Sequence, residues 1–214
     1  MDKKFETSEI KILPAREEHI DDIFNLLVPY VEVGKLLPRD KNNIYENLYT
    51  APSDVLDSSR SITSGIASLK NHNTHRKHNF FIASRMSEES SFSKLDSQSK
   101  LQAEYSVSCN KDEYVGSIAI RDYKDGLYEI RSLAVSASAS GKGVGSDLVR
   151  FVINIVKNER EGERVFALTR RPNVFTRLGF KIVPMDMFPK KIWADCSKCK
   201  KLDACDEVAV LYDI

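Results

Sequence analysis

Residues 127–160 constrain this chain more than any other stretch. They run Leu-Tyr-Glu-Ile-Arg-Ser-Leu-Ala-Val, then a patch of Ser and Ala, then Gly141-Lys142-Gly143-Val144-Gly145, then an amphipathic run. The pattern reads as strand, glycine turn and helix. Glycines at every second position let successive backbone N–H groups turn toward one point without Cβ interference, and the following helix adds the positive end of its dipole there. Leu148, Val149, Val152, Ile155 and Val156 recur at helical spacing, interrupted by Asp147, Arg150, Lys157 and Asn158. The expected product is an anion cradle that needs no charged side chain.

Spacing narrows the anion. A Walker-type loop needs four residues between its first Gly and a Gly-Lys-Ser/Thr ending, which this segment lacks. A dinucleotide fingerprint needs Gly-x-Gly-x-x-Gly and an acid at the end of the next strand. Here the spacing is Gly-x-Gly-x-Gly, and the next strand, residues 165–169, runs into Thr169-Arg170-Arg171.

Composition bounds the rest. A chain of 214 residues with 42% hydrophobic content can bury a full core, and we expect one domain over residues 1–214 with loop insertions. A formal net charge of +1 points to neither nucleic acid nor an anionic membrane. The polar start is unlike a signal peptide, and no apolar run reaches the roughly 18 residues of a membrane helix. The expected location is cytoplasmic. Cys196, Cys199 and Cys205 crowd near the C-terminus, but zinc prefers four ligands and Cys109 lies far away, so no metal is assigned.

In chain order, residues 9–13 alternate as a strand, and residues 16–28 put Ile20, Ile23, Phe24, Leu27 and Val28 on one helical face. Pro29 is expected to close that helix. A loop follows to Arg39, and Asp40 should cap a short helix carrying Ile44 and Leu48. Residues 51–78 and 86–110 read as polar insertions flanking a strand at 79–84, and His72, His75 and His78 fit a hydrophilic loop better than a metal site. Two strands, 114–123 and 127–135, are joined by a hairpin at Lys124-Asp125-Gly126. After the glycine turn and its helix come a strand at 164–169, a short helix from Pro172 ended by Gly179, and strands at 180–183 and 207–212. The order β, α, α, β, β, β, α, β, α, β, β argues for an α/β (α+β) chain with one mixed sheet and helices on both faces.

The central segment resembles the acetyl-CoA signature of the GCN5-related N-acetyltransferases, Arg/Gln-x-x-Gly-x-Gly/Ala after a strand of the type Leu133-Ala134-Val135. Ser140 stands at the Arg/Gln position, a departure that removes a long polar side chain from the turn. Glu129-Ile-Arg-Ser-Leu-Ala-Val135, the strand at 165–169, Phe175-Thr-Arg-Leu-Gly-Phe180, Leu36-Leu-Pro-Arg39 and the tail from Lys191 together resemble the short N-acetylglutamate synthases that lack an amino-acid-kinase domain.

That resemblance implies transfer of acetyl from acetyl-CoA to the α-amine of glutamate or a similar amino acid, the first step of arginine synthesis. It leaves a homodimer open. The implied cofactor contacts are Leu133, Ala134, Val135, Ser140, Gly141, Lys142, Gly143, Val144, Gly145 and Ser146, with Asn173 and Phe175 on the pantetheine side and core packing as the other reading of Phe175. In this fold the central strand splays from its neighbour, which makes the Val135 N–H the candidate oxyanion donor. Glu129 is the candidate base, acting directly or through water, with pairing to a nearby Arg as the alternative. Many relatives carry a Tyr acid where Phe175 stands. Two carboxylates on a substrate call for guanidinium forks, and Arg39 and Arg131 are favoured over Arg170 among the converging arginines. Acetylation of another amine, or a non-catalytic acetyl-CoA module, are the competing readings.

Overall fold

The computed structural model describes residues 10–49, 77–85, 113–199 and 204–214. Most of the two expected insertions, with His72, His75 and Cys109, lies outside the described residues. The elements are β1 (Ile10–Pro14), α1 (Ile20–Glu32), α2 (Lys41–Glu46), β2 (Phe80–Arg85), β3 (Glu113–Asp122), β4 (Leu127–Val135), α3 (Val144–Glu159), β5 (Arg164–Thr169), α4 (Pro172–Thr176), β6 (Lys181–Val183), α5 (Pro189–Ala194) and β7 (Val208–Asp213). This is the expected order with one further helix, α5, in the tail.

The seven strands form one mixed α/β sheet in the order β1-β2-β3-β4-β5-β7-β6. Neighbours are antiparallel except β4 and β5, whose parallel pairing needs the crossover helix α3. That pairing covers only Leu127↔Arg164, Tyr128↔Val165 and Glu129↔Phe166. Beyond it the two strands part, leaving an open edge on β4 from Ile130 to Val135.

Side-chain alternation assigns the two faces. Phe81, Ala83, Tyr128, Ile130, Val165, Ala167 and Val210 join the buried stripe of α3 (Val144, Leu148, Val149, Val152, Val156) in the main core. On the opposite face Phe80, Ile82 and Ala119 meet Ile23 and Leu27 from α1, Ile44 from α2 and Leu48 just after it. Further along that face Phe166, Ala209 and Leu211 meet Tyr123 and Phe188. Between these last two clusters β3 and β4 present Arg121, Glu129 and Arg131. A bulge resets β4 there: the register shifts opposite Ser117–Ala119 and Ser132 takes φ +50°.

Two local expectations are met and one is corrected. The Asp40 carboxylate caps α2 by accepting from the Asn43 N–H at 2.7 Å. Lys124, Asp125 and Gly126 all adopt positive φ in the β3–β4 hairpin. Pro29, in contrast, lies inside α1, which continues to Glu32. A proline interior to a helix costs about 3 kcal/mol, and the last turn is held by contacts no local rule reads. Its Tyr30 side chain bonds to β4, and the Tyr30 carbonyl accepts from the N–H groups of Lys35 at 2.7 Å and Leu36 at 3.2 Å.

The α3 to β5 connection packs tightly against the main core. A Cβ at Gly162 would collide with Val156 Cγ1 and stand 2.7 Å from the Tyr128 ring. Gly162→Ala should therefore cost about 1–3 kcal/mol, read as a lowered urea midpoint with an unchanged m-value; an unshifted midpoint would show that the turn relaxes freely.

Candidate active site

The site has two parts, and the first lies beyond the point at which β4 parts from β5. The first is the glycine turn. After a 3-10 turn at Ala137–Ala139, Gly141 (φ +77°) and Gly143 (φ +91°) adopt left-handed backbone conformations. A Cβ at Gly141 would meet nothing within 4 Å, and one at Gly143 only Asp147 Oδ2 at 3.9 Å. These glycines are thus demanded by the backbone path and the open space above it, not by packing. Helix α3 has 16 residues and Gly143 as its N-cap, with no capping side chain. The N–H groups of Ser140 and Lys142 turn inward to the carbonyls of Ala137 and Ala139, each at 3.3 Å. Among the described residues no acceptor meets the N–H groups of Gly143, Val144, Gly145 and Ser146. Unsatisfied amides at the positive end of a long helix, with open space in front of them, suit a diphosphate. Asp147, the acid in the first turn, is engaged by Arg150 at 3.1 Å.

The open edge of β4 carries a contact that motif reading missed. The Tyr30 hydroxyl donates to the Val135 carbonyl at 2.5 Å and accepts from the Val135 N–H at 3.3 Å. The N–H expected to be vacant is therefore shared with a side chain from α1. One hydroxyl satisfies both polar groups of one residue, as an amide of an extended ligand would. Leu133 packs beside the main core and Ala134 is buried against the α1–α2 cluster.

The second part is an ionic cluster on the face between the two smaller apolar clusters. Glu129 is 2% exposed, with Oε1 at 2.7 Å from Lys191 Nζ and Oε2 accepting from the Tyr123 hydroxyl at 2.9 Å. Arg131 Nε lies 3.6 Å from the same Oε2. Glu129 is thus ion-paired with Lys191 and Arg131. Asp195 is clasped by Lys191 at 2.7 Å, Arg131 at 2.9 Å and Arg121 at 3.1 Å. Burial would raise the Asp195 carboxyl, but the Lys191 hydrogen bond and the guanidinium groups outweigh it and hold the group below its usual range. Burial and the Glu129 charge push the Tyr123 phenol up, so it stays a donor.

A cavity of about 320 Å³ opens beside this cluster, with Arg39, Arg121, Arg131, Asp195, Asn43 and Asn47 in its wall. Arg39 donates to Asn43 Oδ1 at 2.8 Å, and among the described residues no carboxylate lies within ion-pairing distance of it. Burial, then the neighbouring Arg131, lowers its pKa to about 10. Four cations (Arg39, Arg121, Arg131, Lys191) thus stand against two carboxylates (Glu129, Asp195), and the excess positive charge faces the cavity. Such a wall favours a negatively charged group over a positive one.

The remaining expected residues fall elsewhere. Arg170 binds Asp206 Oδ1 at 2.6 Å and donates to the Gly34 carbonyl, so it ties the loop after α1 to β5 rather than joining the cavity wall. Phe175 is 3% exposed and packs edge-on against Phe180 at 5.1 Å, within the core. Asn173 is exposed on the first turn of α4. Among the described residues no cluster suited to a metal ion occurs, and no helix is long and apolar enough to cross a membrane. Arg121, Tyr123, Lys191 and Asp195 were not singled out from the sequence. The first two share the hairpin parity of Glu129 and Arg131, a signal that was available; the last two are an i, i+4 pair that a short tail helix hides.

Comparison with known proteins places this geometry. The model of the Acetyltransferase (GNAT) family matches residues 70–180. An uncharacterized N-acetyltransferase of Chlorobaculum tepidum is 40% identical over 108 residues, which is 50% of this chain and 69% of that protein. Among solved structures, N-acetylglutamate synthase of Neisseria gonorrhoeae, complexed with coenzyme A and N-acetyl-glutamate, superposes with a TM-score of 0.63 at 17% identity. The match covers 95% of this chain but 35% of the synthase chain. The Mycobacterium tuberculosis protein Rv2747, bound to CoA, gives 0.58 at 19% identity over 95% of this chain and 99% of its own. At these identities the structures share the fold.

The ionic cluster makes a signed prediction. A carboxyl held below its usual pKa stabilises the fold above the unfolded value of about 3.9, and that contribution is lost as pH falls through the native value. Asp195→Asn should lower stability by about 2 kcal/mol at pH 7, with the gap from wild type shrinking below about pH 4. Urea unfolding at pH 7 and pH 3 checks this; a gap independent of pH would remove the charge from the explanation.

Proposed function

The chain belongs to the GNAT acetyltransferase family, and on that premise we propose that it acetylates the α-amine of a dicarboxylic amino acid, L-glutamate first among them, using acetyl-CoA. The observation that carries the substrate reading is the excess of positive charge at the cavity, above all the half-buried Arg39 that lacks a carboxylate partner among the described residues. An amino acid with two carboxylates supplies what that wall lacks, and planar guanidinium groups bind carboxylates two-pronged. A polyamine would meet like charge there.

Acetyl-CoA supplies an activated thioester. The residues present fit it: the free amides at 143–146 suit its diphosphate, and the open edge of β4 suits the amides of its pantetheine arm. The chain's own tasks then divide. Gly143, Val144, Gly145 and Ser146 hold phosphate oxygens by backbone N–H groups, while Leu133 to Val135 offer the strand edge. Val135 N–H, once Tyr30 releases it, is a donor toward an acyl oxygen on which charge develops. Arg39 and Arg131 orient the substrate carboxylates. Glu129 keeps Lys191 and Arg131 in place rather than facing the cavity, since both of its oxygens are occupied.

Isothermal titration with acetyl-CoA, followed by a thiol-release assay over amino acids and polyamines, tests the proposal. Release with glutamate and aspartate well above release with neutral amino acids or spermidine is expected. Cofactor binding without release on any dicarboxylic amino acid would overturn the substrate reading. Arg39→Ala should raise KM for glutamate about 10- to 100-fold, the worth of one charge-assisted contact, while leaving acetyl-CoA affinity within twofold; an unchanged KM excludes its carboxylate role. Gly143→Val forces an L-residue into left-handed backbone. It should weaken acetyl-CoA binding at least tenfold in a protein whose circular dichroism is native, and intact binding would count against the cradle.

A further inference from the structure

Deprotonating an ammonium requires a base with a free lone pair, and most of the carboxylates near the ionic cluster have their oxygens engaged. Both oxygens of Glu129 are engaged by Lys191, Tyr123 and Arg131. Asp195 is held by three cations, and Asp206 by Arg170. Glu207 is different. It is half-buried, and among the described residues it makes no hydrogen bond and no ion pair within 4 Å. Partly withdrawing a carboxylate from water without a direct partner disfavours its charged form.

Topology places it. Glu207 immediately precedes β7, where Val208 pairs with Thr169 at the end of β5, beyond the point at which β4 has departed. Ala209 and Leu211 face Phe166 and Phe188, so continuing the alternation sets Glu207 on that same face, with Glu129 and Lys191. The charges that act on it agree. Burial raises its pKa most; Arg170 from the end of β5 and Lys191 from α5 lower it, and Asp206 and Glu129 raise it again. The Cys196 thiol, from the tail turn, also senses it. A carboxyl displaced upward is closer to the working pH of a base than an ordinary one.

We propose that Glu207, and not Glu129, is the base that accepts the substrate proton, an assignment that rests on the acetyl-transfer reading above. The substrate ammonium passes one proton to the Glu207 carboxylate, which later returns it to solvent. The nitrogen lone pair then forms the N–C bond to the acetyl carbon, the C–S bond breaks with its electron pair on sulfur, and the second nitrogen proton ends on that thiolate. The products are the N-acetyl amino acid and the free thiol of CoA. Arg170 and Lys191 act on the base through their charge, without direct contact.

Steady-state thiol release against pH, in the full chain with saturating acetyl-CoA, tests the assignment. Glu207→Gln should lower kcat at least 100-fold and abolish the acidic limb of the kcat profile, with acetyl-CoA affinity by titration within twofold of wild type. Glu207→Asp should keep the limb at a reduced rate, which separates lost chemistry from lost folding. Glu129→Gln should melt earlier yet retain the limb. An active wild type whose Glu207→Gln variant keeps its acidic limb and a kcat within fivefold overturns the role of Glu207 alone. A wild type that releases no thiol with any amine overturns the acetyl-transfer reading and this assignment with it.

Discussion

The open edge of β4 follows from strands β4 and β5 staying together for only three residue pairs. A parallel pair that ran on would close its ladder and leave no backbone group unsatisfied. Instead α3 crosses over a long, well-packed apolar stripe, and the bulge at Ser132 turns the end of β4 away from its neighbour. The sheet interior is thereby opened in its middle, where a ligand can be sheltered on both sides, rather than at an exposed edge. The turn at 136–143 joins the end of β4 to the N-terminus of α3.

The opening is costly to leave bare, and two devices cover it. Tyr30 satisfies both polar groups of Val135 with one hydroxyl. Its carbonyl anchors the turn leading to Arg39, and Arg170 grips Gly34 in that same turn. One residue thus contacts both the β4 edge and the loop that leads to Arg39. The ionic cluster is the second device. Its buried charges are tolerable because nearly every one is paired and hydrogen-bonded, and the unpaired remainder is positive and concentrated at the cavity.

What the sequence revealed, and what it hid, divides by the range of the interaction. The strand, glycine turn and helix at 127–160 were legible because backbone demands at Gly141 and Gly143 and the stripe of α3 are local. Arg39 and Arg131 were drawn to one cavity by the resemblance, and the cavity wall contains both. Tyr30 was invisible, since nothing near position 30 foretells a bond to Val135, 105 residues away. Pro29 misled for the same reason: a local penalty was offset by tertiary anchoring. Lys191 and Asp195 escaped notice because α5 is six residues long and carries little periodicity. Phe175 reads alike as a groove residue or a core residue until its contact with Phe180 is seen.

The open edge of β4 and the bare amides of α3 form one binding surface in this account, and backbone amide NMR during a titration with coenzyme A measures that surface directly. Resonances of Val135, Gly143, Val144, Gly145 and Ser146 should move together along one saturation curve, with slowed hydrogen exchange, while those of β1 and β2 stay in place. Saturating coenzyme A that leaves the amides of Val135 and of residues 143–146 unmoved would contradict the account at its root.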